Sequence, residues 1–244
     1  MENLTKEIHQ ESRVGIVLAG GLGTRLRGVV DNLPKCMAPV AGHPFLYYLL
    51  RYMERQRFTR VILALGYLHE RVEQWISETE WSFRVDFSVE QTPLGTGGAI
   101  GQALTQVDGH RVFVLNGDTF FDADLDRMEQ LHSMSHADIT LALKPMTNFS
   151  RYGVVVCGAD HRIESFLEKQ PREQGEINGG IYLLETSTVM KTLPEGRFSF
   201  ETDVLERQVS RLCMIGCPDD GYFIDIGIPE DYAKANAYFR TQHV

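Results

Sequence analysis

Leu18-Ala19-Gly20-Gly21-Leu22-Gly23-Thr24-Arg25 sets three glycines and a permanent cation within one short stretch. Gly20, Gly21 and Gly23 remove side chains where the backbone must pass close to something bulky, and glycine takes conformations that other residues avoid. Lys35, in Leu33-Pro34-Lys35, adds a second cation ten residues after Arg25. Backbone N–H groups beside fixed positive charge make a site for a polyphosphate. The other use of such glycines is a tight strand-to-helix turn, and the paired cations weigh against it. No Gly-Lys-Ser/Thr follows, so the loop is not a Walker A, and Leu26 stands where a dinucleotide fingerprint needs its third glycine.

Two aspartates form the second chemical group. Asp118 closes the apolar run FVLNGD and Asp225 sits in YFIDIG. An acid at the end of an apolar strand is costly to bury unless positive charge meets it. Taken singly, either is equally a turn former or helix cap. If they converge on the phosphate loop they suit Mg2+, which takes hard oxygen ligands and sits between one or two carboxylates and substrate phosphates.

Other candidates carry less. Glu168-Lys169, taken alone, reads as a solvated pair. Asp122, Asp124 and Asp126 alternate like a calcium loop but lack its glycine and remaining ligands, so they read as turn and first-turn helix acids, with Asp122 a candidate neighbour of the metal's outer shell. His132 and His136 lack the glutamate of a zinc HExxH helix. No G-x-S-x-G elbow and no Cys–His nucleophile motif is present.

Strands and helices alternate through the first half. RVGIVLA (13–19), RVILALGY (60–67), RVDFSVE (84–90), RVFVLNGD (111–118) and DITLALKP (138–145) read as strands. Helical spacing is predicted over 44–57, 68–78, 98–106 and 123–134. This order implies an open, mostly parallel sheet whose ligands gather beyond the carboxyl ends of its strands. The glycine loop, the segment 90–98 and Asn116-Gly117-Asp118 all fall at such ends. The second half is richer in strands: a hairpin over 152–169 turning at 158–161, a strand over 177–185, short helices near 187–192 and 201–210, and a strand, turn and helix over 222–239. Residues 1–12 read as a loose polar tail, followed by one domain (13–244) with a nucleotide half to about 145 and an acceptor half from about 146.

The chain has 244 residues, 43% of them hydrophobic, enough for one large α/β domain. A net charge of −9 argues against a nucleic-acid surface, though not against a local basic pocket. The polar N-terminus is not a signal peptide, and no apolar run approaches membrane-spanning length, so no membrane partner is expected. Four scattered cysteines without a C-x-x-C pair fit reduced thiols in the cytoplasm.

Taken in order, LAGGLGTRL, LPKCMAPV, PLGTGGA (93–99), NGD (116–118), RYGVV (151–155), LEKQP (167–171), NGGIY (178–182) and FIDIG (223–227) resemble the sugar-1-phosphate nucleotidyltransferases over nearly all of the chain after residue 12. The combination RLRGVV, PLGTGGA, NGDTFFD and DGYFIDIGIPEDY is similar to the subgroup that joins GTP to D-glycero-alpha-D-manno-heptose 1-phosphate, making GDP-heptose for surface polysaccharide. Cys36 departs from the proline or alanine that many relatives carry after the lysine.

The resemblance implies a Rossmann-like, three-layer α/β fold with a mostly parallel mixed sheet and a smaller acceptor-side β subregion. It implies that a sugar phosphate oxygen attacks the α-phosphorus of the nucleotide in line with departing pyrophosphate. Leu18, Ala19, Gly20, Gly21, Gly23, Thr24 and Arg25 would then hold the triphosphate, with Asn116, Gly117 and Asp118 at the neighbouring strand end. Arg25, Lys35 and Asp118 would form the catalytic set, and Asp118 and Asp225 would hold Mg2+. Gln91, Gly95 and Thr96 would border the base. Lys169 would meet the sugar phosphate and Glu168 a sugar hydroxyl, with Gly153, Asn178 and Gly179 close to the sugar.

Base and sugar stay open at the level of residues. Mannose 1-phosphate with GTP and N-acetylmuramate 1-phosphate with UTP are alternatives, and Glu90 or main-chain carbonyls are suited to accept from guanine. A regulatory module that binds nucleotide without turnover is the non-enzyme alternative, and it would be expected to have lost one of these charged residues. Relatives are often dimers or tetramers, which leaves a homo-oligomer open.

Overall fold

A computed structural model describes residues 12–21 and 33–242. Gly23, Thr24 and Arg25 lie outside the described residues. Four parallel strands form the first half of a mixed nine-stranded sheet: β1 (Arg13–Leu18), β4 (Phe58–Leu65), β5 (Arg84–Val89) and β6 (Arg111–Asn116), in the order β5-β4-β1-β6. The long β11 (Arg172–Glu185) then pairs antiparallel with β6 and with β8 (Ile139–Phe149), and β12 (Met214–Pro218) adds in parallel to β8. The hairpin β9 (Val154–Cys157) and β10 (Ile163–Leu167) joins the other edge of β11 at Ile177↔Val154.

Side chains alternate across a strand, and here each face has its own core. Val17, Leu63, Phe113 and Leu115 pack under α1 (Phe45–Arg55), α2 (His69–Ser77), α4 (Leu125–Met134) and α6 (Pro229–Thr241). Ile16, Ile62, Val112 and Val114 pack under α3 (Gly95–Leu104), α5 (Thr186–Met190) and the π-helical turn Phe200–Glu206. The result is the expected three-layer α/β fold. None of the helices among the described residues is long and apolar enough to cross a membrane.

Several expectations need correction. The third helix begins at Gly95, not 98, because glycines 95, 97 and 98 let its first turn press on the segment 196–200. Gly95 has φ +73°, and a Cβ there would stand 2.4 Å from the Phe198 carbonyl oxygen. The helix expected over 201–210 is the wider turn Phe200–Glu206, capped by Ser199 and drawn to α3 by a Thr96–Glu201 hydrogen bond. The strand expected from 177 starts at Arg172, extended by its ladder with β8. The strand β12 and the short pairs β2 (Pro39–Val40) with β3 (His43–Pro44) and β7 (Thr119–Phe121) with β13 (Phe223–Asp225) were not separated by the periodicity; only β13 falls in an expected strand. The hairpin turn at 158–161 stands as expected, closed by Gly158 N–H to Arg162 C=O. Asp124 caps α4, accepting from Arg127 N–H at 3.0 Å, and Asp126 pairs with Arg13 and Arg57, in keeping with turn and first-turn acids.

Candidate active site

Three parallel strands end side by side. Leu18 of β1 is in register with Ala64 of β4 and Asn116 of β6, so the turns after these strands rise together. Between them opens a cleft of about 410 Å³ lined by Leu18, Ala19, Gly20, Gly21, Lys35, Glu90, Pro93, Gly95, Thr96, Asn116, Gly117, Asp118 and Arg197, among others. Leu18, Ala19, Gly20, Gly21, Lys35, Glu90, Gly95, Thr96, Asn116, Gly117 and Asp118, all named from the sequence, thus line one cleft. Gly117 has to be glycine in this packing: its N–H donates to Leu18 C=O at 3.0 Å, and a Cβ would lie 2.6 Å from that oxygen.

Asp118 and Asp225 do converge. Asp225 faces Thr119 across the antiparallel β7–β13 ribbon, and Ile226 N–H donates to the Asp118 carbonyl at 3.1 Å. Lys35 reaches both acids, its Nζ 2.5 Å from Asp118 Oδ2 and 3.6 Å from Asp225 Oδ1. A 3-10 turn, Lys35–Met37, starting after Pro34 presents that lysine, and its N–H reaches Gly21 C=O at 3.4 Å. Burial pushes the Asp225 carboxyl above the usual range, and the negative charge of Asp118 adds to this. Lys35, the Gly227 N–H at 2.8 Å from Oδ1, and Arg151 oppose the shift. Cys36 is inert beside them: burial and then the charge of Asp118 push its thiol up to about 12.

Asp118 lines the glycine-lined cleft and Asp225 the hollow beside it, and two hard-oxygen acids meeting at that border through Lys35 fit Mg2+. No cluster of three or more His, Cys, Asp or Glu suited to a metal occurs among the described residues. Such a pair suits an ion that completes its shell with phosphate oxygens and water.

Not every candidate lies in this cleft. Gln91 lines an adjoining hollow with Tyr67, His69 and Glu90. Thr96 lines the cleft, but its hydroxyl is engaged, donating to Glu201 at 2.7 Å and accepting from Phe200 N–H at 2.9 Å. Asn178 shapes β11, accepting from Gly180 N–H at 3.0 Å and donating to Tyr182 Oη at 2.9 Å, while Gly179 admits the Phe121 ring. Glu168 and Lys169 follow β10 in the open, where Lys169 makes no ion pair among the described residues. Gly153 sits at the same hairpin end, where a Cβ would lie 2.7 Å from Leu167 C=O.

The sequence reading missed two cations. Arg197 lines the cleft without an ion pair among the described residues. Its signal was the Pro-Glu-Gly-Arg turn, whose docking on α3 only the fold supplies. Arg151, inside the RYGVV segment, lies 3.8 Å from Asp225.

Comparison with known proteins bears on family and fold. Residues 14–242 match the family model described as Nucleotidyl transferase. The chain is 45% identical to a D-glycero-alpha-D-manno-heptose 1-phosphate guanylyltransferase of Aneurinibacillus thermoaerophilus, over 90% of this chain and 95% of that protein. It is 42% identical to the protein of the same name from Campylobacter jejuni, over 89% and 96%. The crystal structure of HddC from Yersinia pseudotuberculosis complexed with GMP-PN superposes with a TM-score of 0.82 at 36% identity, covering 93% of this chain and 99% of that one.

Proposed function

Since the chain belongs to the nucleotidyl transferase family, we propose that it moves GMP from GTP to D-glycero-alpha-D-manno-heptose 1-phosphate, yielding GDP-heptose and pyrophosphate. One observation carries the chemistry: Lys35 bridges Asp118 and Asp225 at the end of a glycine-lined cleft. The new bond joins a phosphate oxygen of the sugar to the α-phosphorus, and the bond between that phosphorus and the α–β bridging oxygen breaks. The nucleophile is already an anion, so no strong base is needed, and positioning with charge neutralisation dominates. Gly20 and Gly21 let the backbone approach the triphosphate, and Lys35 and Arg25 offset its charge. Asp118 and Asp225 would hold Mg2+, which when bound neutralises charge at the reacting phosphates. Lys169 and Glu168, on the acceptor hairpin with Gly153, would take the phosphate and a hydroxyl of the sugar.

Glu90 favours guanine. Its Oε2 accepts from Leu94 N–H at 2.9 Å, and its Oε1 packs where Cβ atoms at Gly66 and Gly20 would stand 2.6 and 3.3 Å away. A carboxylate only accepts, and guanine presents two adjacent donors, a ring N–H and an amino group. Uracil and thymine offer one N–H between two carbonyls, which a carboxylate repels. Release of pyrophosphate, with nucleotides compared in parallel, tests this reading.

A further inference from the structure

Each carboxylate oxygen of Asp225 faces a different cation. Lys35 approaches Oδ1 from the cleft, and Arg151 Nη2 stands 3.8 Å from Oδ2. Arg151 does not line the nucleotide cleft; it lines a neighbouring hollow of about 370 Å³ with Asp225, Asp231 and Lys234. Its Nη1 donates to Oδ2 of Asp231, in the first turn of α6. Asp231 is only 8% exposed, and its Oδ1 accepts from Lys234 at 2.8 Å. The guanidinium also lies over the Tyr152 ring, 5.4 Å from its centroid, and Tyr152 meets Phe223 edge-on, two residues before Asp225.

These contacts give Arg151 a task distinct from that of Lys35. Lys35 is shared with Asp118, and any phosphate entering the cleft competes for it. Arg151 is anchored by a buried carboxylate, and its planar fork spans two acids where a lysine has no fork. It also sits two residues before Gly153, at the entry to the acceptor hairpin. Two carboxylates sharing one corner repel each other, and a fixed cation beside one of them relieves that repulsion without filling the space between them.

We propose that Arg151 is a positioning residue: held by Asp231, it fixes the Asp225 carboxylate beside Asp118 and ties that corner to the acceptor hairpin. The inference rests on Asp118 and Asp225 being the metal pair.

The test is a titration of the full chain with Mn2+ in the presence of a non-hydrolysable GTP analogue, reading free ion by electron paramagnetic resonance. Wild type is compared with Asp225→Asn, Arg151→Ala, Arg151→Gln and Arg151→Lys. Asp225→Asn should lose the site, and Arg151→Ala and Arg151→Gln should weaken it about tenfold, the lost orientation of Asp225 outweighing the removed positive charge, with Arg151→Lys in between. Raising Mg2+ should restore kcat in Arg151→Gln, which a general loss of structure would not allow. Glutamine keeps an N–H donor for Asp231, so this variant answers even if the alanine chain fails to fold. Wild-type Mn2+ affinity in a folded Arg151→Gln chain overturns the inference while leaving the metal pair standing. Unchanged affinity in Asp225→Asn, or no uptake by the wild type beyond that of the analogue alone, rejects the metal pair and this inference together.

Discussion

The backbone N–H of Ile226 donates to the carbonyl oxygen of Asp118 across 3.1 Å, clamping the strand that carries Asp225 onto the turn that carries Asp118. The two acids are far apart in the chain, and only the short β7–β13 ribbon brings them to one corner. Lys35 then bridges them. The proposed metal corner thus depends on a ribbon only three residues long on each side.

Replacing either acid should separate function from stability. Asp118→Asn or Asp225→Asn should lower turnover at least ~100-fold through lost charge stabilisation, with the fold intact by circular dichroism. The raised Asp225 carboxyl binds its proton more tightly folded than unfolded. Keeping it ionised at neutral pH therefore costs stability, a cost relieved as pH falls through its folded value. Asp225→Asn should accordingly melt no lower than wild type at pH 7. A clear drop in Tm would contradict this.

His132 should govern part of the acid stability. It is fully buried on α4, with Nδ1 2.8 Å from Thr140 Oγ1, and burial followed by the Arg111 charge holds its pKa below the ordinary 6.5. Below pH 6.5 the unfolded chain takes up a proton that the folded chain refuses, so stability falls until the folded value is passed. A plot of Tm against pH should decline less steeply on the acid side for His132→Gln than for wild type. Parallel curves would remove His132 from the account.

Lys169→Ala should raise KM for the sugar phosphate about tenfold and leave KM for the nucleotide near wild type, the scale of one charge-assisted hydrogen bond. Steady-state kinetics with each substrate varied in turn decides it. Equal losses for both would place Lys169 elsewhere.

Glu90→Gln should narrow the preference for GTP over UTP by about 100-fold, because an amide donates as well as accepts. Competition between the two nucleotides measures the ratio directly. An unchanged ratio would assign base choice to the main chain around Pro93 and Gly95.

The parallel strands were legible because a buried strand writes its own signal: RVGIVL and RVFVLN are apolar runs bounded by glycine or polar residues. Residues just beyond those runs were legible as a candidate site for the same reason, since strand ends are where ligands collect. What escaped depends on partners distant in sequence. The start of α3 at Gly95 answers to Phe198, and Arg197 reaches the cleft only because its turn docks on that helix. Arg151 sat inside a segment already singled out, yet nothing local says that its guanidinium spans Asp231 and Asp225. The engagement of the Thr96 hydroxyl by Glu201 and Phe200 was equally invisible.

The most direct test is pyrophosphate release with Mg2+, offering GTP, ATP, UTP, CTP and dTTP in parallel against D-glycero-alpha-D-manno-heptose 1-phosphate. Release confined to GTP and dependent on the heptose phosphate is the predicted result. Release with another nucleotide, or silence with the heptose phosphate and turnover with mannose 1-phosphate, would contradict the proposed pair of substrates. Silence with every nucleotide and sugar phosphate would contradict the transferase itself.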